Sequence, residues 1–119
     1  MPTGMDKMSK IASYKLMARI NTSLRYVSLD DYPGYCYFAL LPDGAVKIGY
    51  SNTRKLVDER MKSLSRQYGA PVIPLAVVRG GWVAEIYHHD MFSEYRFPGD
   101  GERFAYSAEM AHYIAGLSS

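Results

Sequence analysis

The stretch Tyr35-Cys36-Tyr37-Phe38-Ala39-Leu40-Leu41-Pro42-Asp43-Gly44-Ala45-Val46-Lys47-Ile48-Gly49-Tyr50 decides the reading of the fold. Both of its halves are rich in aromatic, apolar and β-branched residues, which suit a pleated, half-buried surface. Between them, Pro42-Asp43-Gly44 reads as a turn, because proline fixes one backbone dihedral and glycine accepts a positive one. The spacing predicts a β-hairpin. Downstream, Ser51-Asn52-Thr53 offers side-chain oxygens to cap a helix. Val57, Met61, Leu64 and Tyr68 then recur at intervals of four, three and four, which is one helical stripe. Gly69 followed by Pro71 ends it. Val72 to Arg79 reads as a third strand, and Pro74 inside it predicts an edge position or a bulge. Gly80-Gly81 leads into a second helix over 82–95, and Pro98-Gly99-Asp100-Gly101 into an extended piece over 102–106. Ser107, with Met110, Tyr113, Ile114 and Leu117, opens a last helix. The order predicts an α+β domain, a small and mostly antiparallel three-stranded sheet flanked by helices.

Upstream of the hairpin, Met8, Ala12, Leu16, Ile20 and Leu24 recur every four residues and predict an amphipathic helix within 6–28. The breaker cluster Asp30 to Gly34 separates this N-terminal helical extension, 1–33, from a compact domain, 34–119. The 119 residues, 48% hydrophobic and 22% charged, suffice for one domain with a real core and exclude disordered, collagen-like and coiled-coil classes. The single cysteine, Cys36, leaves no internal disulfide and no cysteine cluster for zinc or iron–sulfur. With no apolar run near the ~20 residues of a membrane span, and no secretory signal at Met1–Lys10, a soluble cytoplasmic protein is the expectation.

Net charge is only +2, but it is unevenly spread. Lys7, Lys10, Lys15, Arg19 and Arg25 face only Asp6 within residues 1–28. Lys47, Arg54, Lys55, Arg60, Lys62 and Arg66 outnumber Asp58 and Glu59 within 47–66. Each segment is therefore +4 and the rest of the chain is acidic. Two basic patches point to a polyanionic partner, with nucleic acid first; solvated faces of amphipathic helices are the ordinary alternative.

Four polar residues stand where the pattern asks for something inward-facing. Tyr37 and Lys47 lie ten residues apart on the two strands of the hairpin, which allows them to share one sheet face. Arg60 borders the apolar stripe between Leu56 and Leu64, whereas Arg54, Lys62 and Arg66 fall on the outer side. Glu85 shares a helix with Trp82, Ile86, His89 and Phe92, where a lone buried carboxylate is costly and so must be paired, metal-bound or in a cleft. Singly, each has a structural reading: a packed tyrosine, an edge-protecting lysine, an ion pair between helices.

Together, in order and spacing, these pieces resemble the GIY-YIG nuclease superfamily. The resemblance rests on Tyr35-Cys36-Tyr37, Lys47-Ile48-Gly49 with Ser51 behind it, Arg60-Met61-Lys62-Ser63-Leu64, Gly69-Ala70-Pro71, Glu85 with His89 and Phe92, and Gly101-Glu102-Arg103-Phe104. It spans residues 34–115 and is greatest toward the small phage and mobile-element branch, whose second signature begins with lysine. Tyr-Cys-Tyr stands here in place of Gly-Ile-Tyr, and Arg103 in place of an aromatic.

The resemblance implies a divalent-metal-dependent endonuclease that hydrolyses DNA phosphodiester bonds, with RNA left open. It implies that Tyr37 is the general base, its phenol lowered by a cation such as Lys47, and that Arg60 holds the scissile phosphate. Glu85 would hold Mg2+ or Mn2+, and His89, one turn on, either assists that shell or packs in the core. Lys7, Lys10, Lys15, Arg19, Arg54, Lys55, Lys62 and Arg66 are the expected nucleic-acid contacts, on a monomer or homodimer in a bacterial or phage-infected cytoplasm. The alternative is a relative that keeps the fold and binds nucleic acid or a protein without turnover.

Overall fold

The hairpin forms where the turn chemistry places it. A computed structural model describes residues 28–99 and 101–117. In it, strands β1 (Tyr35–Leu40) and β2 (Val46–Ser51) pair antiparallel, with Tyr37 opposite Gly49 and Ala39 opposite Lys47. The turn closes through Leu41 N–H to the Ala45 carbonyl (2.8 Å), and the Asp43 carboxylate accepts the Ala45 N–H (2.9 Å). Strand β3 (Ile73–Arg79) lies on the other side of β1, at the sheet edge, with a register shift that leaves Leu75 as the extra residue beside Pro74. Proline is tolerated there because an edge strand has one unpaired side and a bulge relaxes the ladder.

Among the described residues the sheet has four strands, not three, all antiparallel in the order β3-β1-β2-β4. The fourth, β4 (Arg103–Phe104), comes from the extended piece predicted over 102–106 and pairs with β2. Two residues carry no periodicity, so only their position beside β2 makes them a strand.

Helix α1 (Arg54–Tyr68) is capped by the Thr53 hydroxyl, which accepts the Leu56 N–H at 3.1 Å, and Gly69 ends it as expected. Helix α2 (Gly81–Met91) is shorter than the 82–95 expected. At Phe92 the backbone leaves helical geometry, the ring enters the core, and Ser93–Tyr95 forms a separate 3-10 turn. Helix α3 (Ala108–Leu117) follows β4.

Strand alternation sends side chains to two cores. On one face Tyr37, Ala39, Leu41 and Ala45 pack under Val57, Met61 and Leu64 of α1. On the other, Cys36, Phe38, Val46 and Ile48 pack under Ala84 of α2, Phe92, and Met110 and Ile114 of α3. A fully buried Phe38 or Ile48 contributes about 1.5–3 kcal/mol by burial alone. Gly81 (φ 51°) lets α2 start against the chain entering β1, where any side chain would strike the Pro33 carbonyl.

Leu29, just after the capping box at Ser28, packs on the α2–α3 core, so residues 28–33 belong to the compact body. The helix expected within 6–28, with Lys7, Lys10, Lys15 and Arg19, lies outside the described residues. No helix among the described residues is long and apolar enough to cross a membrane.

Candidate functional site

Tyr37, Lys47 and Gly49 lie on the α1 face of the sheet, since each is an even number of residues from the others within its strand or directly across from one. The Tyr37 ring lies over Gly49; a Cβ there would stand 2.6 Å from Tyr37 Cζ. Glycine in the Lys47-Ile48-Gly49 signature therefore serves as floor for the phenol. Gly49→Ala is expected to cost about 1–3 kcal/mol through overpacking against that ring. Chemical denaturation measures it, and a double mutant with Tyr37→Ala should lose less than the sum of the single changes. Additive losses would show that ring and glycine do not share this space.

Tyr37 is 2% exposed, and the exposed Arg60 of α1 is close enough for its positive charge to act on the phenol. Burial raises the phenol above its ordinary value; the nearby Arg60 guanidinium pulls it down, and the Glu102 and Glu85 carboxylates push it up. The net direction is upward, so the phenol is protonated at neutral pH. The cation that opposes this is Arg60 and not Lys47, contrary to the expectation from sequence.

Lys47 is occupied elsewhere. Its ammonium pairs with the Glu102 carboxylate, with 13% of the lysine side chain and 40% of the glutamate side chain exposed. The main chain of Glu102 also accepts the Ile48 N–H at 3.0 Å. The Ile48 carbonyl is bonded in turn by His89 Nε2 at 2.9 Å, and since a carbonyl only accepts, that nitrogen carries the proton. His89 is buried with its ring edge-on to Phe104, and burial holds its imidazole below the ordinary value. Of the two roles left open for His89 by sequence, the geometry matches the packed core histidine that ties α2 to β2.

Glu85 is half-buried on α2, close enough for its charge to act on both Tyr37 and Cys36. Among the described residues no three His, Cys, Asp or Glu side chains cluster as a metal cage. A single hard carboxylate oxygen donor at Glu85 still suits Mg2+, which keeps several waters and takes other ligands from phosphate. Arg54, Lys55, Lys62 and Arg66 are exposed along α1. Arg103 pairs with Asp43 of the hairpin turn and lies 4.9 Å from the Phe97 ring centroid, so it ties β4 to the hairpin.

Tyr37 thus shares its sheet face with the Lys47–Glu102 pair, and the Arg60, Glu102 and Glu85 charges act on its phenol. Glu102 is the member that sequence reasoning passed over: it sits in the Gly101–Phe104 run, yet nothing local says that it meets a lysine 55 positions earlier. Comparison with protein-family models, curated proteins and solved structures finds no match to this chain.

Proposed function

We propose that this chain is a metal-dependent endonuclease of GIY-YIG type acting on DNA phosphodiester bonds. The observation that supports the reading is the Tyr37 phenol on the sheet face that also carries the Lys47–Glu102 ion pair, with the Arg60, Glu85 and Glu102 charges all acting on it. Hydrolysis needs an activated water, a counterion for charge at phosphorus, and stabilisation of the departing 3′ oxygen. Arg60, planar and always charged, offers two parallel N–H donors to a phosphate. Tyr37 takes the water proton once its own has left, and Arg60 is the cation that favours the phenolate. A divalent ion held by Glu85 would supply Lewis acidity at the leaving oxygen. Exposed Arg54, Lys55, Lys62 and Arg66 add non-specific phosphate attraction.

Incubation of supercoiled plasmid with Mg2+ or Mn2+ tests this: nicked or linear product is expected. Because a raised phenol is scarce as phenolate at neutral pH, the rate should climb about tenfold per pH unit from roughly 6 to 8. No product with either ion overturns the nuclease reading. The second reading, a nucleic-acid-binding module without turnover, is favoured by the 2% exposure of Tyr37. It predicts salt-dependent retardation of DNA or RNA with no cleavage.

A further inference from the structure

We infer that Glu102 is a positioning residue of this site, gripping the Lys47-Ile48 segment at two points so that the lysine ammonium stays on the face that carries Tyr37. One grip is the ion pair to Lys47 Nζ, the other the 3.0 Å bond from Ile48 N–H to the Glu102 carbonyl. An ordinary edge-strand lysine keeps its head in water and its stem free, since ordering it costs rotamer entropy. Lys47 differs: its side chain is 13% exposed and its head is held by a carboxylate. The pairing of β4 with β2 reaches only Lys47 and Val46, and beyond it the outer edge of β2 is held at Ile48 by Glu102 and His89. Glu102 therefore does by side chain and main chain what a longer fourth strand would do by its ladder.

The charges fit the same role. The Glu102 carboxylate pairs with Lys47, and its charge also acts on Tyr37 and His89. The inference rests on the reading of this face as a phosphate-handling site, and its test separates the two.

The test uses the full chain and the variants Glu102→Gln and Glu102→Asp. Nitrogen-detected NMR of lysine ammonium groups at neutral pH should show a slowly exchanging Lys47 signal in the parent, assigned by its loss in Lys47→Met. That signal should vanish in Glu102→Gln and survive in Glu102→Asp. Metal-dependent plasmid cleavage should fall about tenfold to a hundredfold in Glu102→Gln, as when a group supporting a catalytic residue is removed, with KM changed less than kcat. Glu102→Asp should recover most of the rate. An unchanged Lys47 signal in Glu102→Gln overturns the inference, and so does full cleavage once the signal is lost. A parent that shows the ordered ammonium and its dependence on Glu102, but does not cut DNA, supports the grip and overturns the nuclease reading alone.

Discussion

Glu85→Ala is expected to lower metal-dependent plasmid cleavage by at least about a hundredfold while leaving DNA affinity within a few-fold of the parent. The size follows from the proposed chemistry. Removing a group that merely supports a metal ligand typically costs ten- to a hundredfold, and removing the carboxylate ligand itself must cost no less. Affinity is expected to survive because the cations proposed to contact phosphate, Arg54, Lys55, Lys62 and Arg66, are exposed on α1 rather than on α2. Two further measurements make the result specific. Raising Mg2+ or Mn2+ should recover little activity in Glu85→Ala, whereas Glu85→Asp should recover part of it at high metal. Thermal unfolding should shift only modestly, because Glu85 is half-buried and contributes to neither of the two apolar clusters. Equal cleavage by parent and Glu85→Ala removes the metal role; loss of binding in parallel with loss of cleavage removes the assignment of affinity to α1.

Acid sensitivity is the second large effect, and it comes from the opposite face of the sheet. His88, 1% exposed, sits between the Cys36 thiol (Sγ to Nδ1, 3.6 Å) and the Tyr113 hydroxyl (2.8 Å from Nε2), with the Phe38 ring edge-on. Either neutral tautomer satisfies both neighbours, one nitrogen donating and the other accepting. A charged ring there has lost its water. Burial accordingly pulls the imidazole from 6.5 down to about 4; a backbone bond at Ala84 opposes this, and the neighbouring His89 adds to it. Below pH 6.5 the unfolded chain takes up a proton that the folded chain refuses. Stability is therefore fully present above that pH and falls as pH drops toward 4, by on the order of 3 kcal/mol. His89, also depressed, acts with the same sign, so His88→Gln should flatten most but not all of the slope. Urea unfolding at pH 7, 5.5 and 4.5 measures it. A parent whose stability is level over that range, or a slope unchanged in His88→Gln, overturns the account.

Much of the body was readable residue by residue. The hairpin followed from two runs of aromatic, apolar and β-branched residues around the Pro42-Asp43-Gly44 turn, and α1 from its stripe and caps. The edge position and bulge of β3 followed from Pro74. The misreadings share a cause. β4 has two residues and exists only because it lies beside β2. The apolar pattern of α2 runs on through Phe92 and Tyr95, but burying the Phe92 ring outweighs another helical turn. At the site, Lys47 was read as the cation beside Tyr37, and the structure pairs Lys47 with Glu102 and leaves Arg60 as the cation whose charge acts on the phenol.

The amino-acid order by itself placed Tyr37 and Lys47 where they can share a sheet face, because that depends only on a two-residue period and the register the turn imposes. It also determined that Arg60 borders the buried stripe of its helix, which depends only on 3.6 residues per turn. Which cation meets which anion was decided by the tertiary structure alone. An ion pair depends on distances of a few ångströms across space, set by how α1 lies over the sheet and how β4 runs beside β2. No local period encodes those distances, so the chemistry-bearing residues could be named from the sequence while their pairing could not.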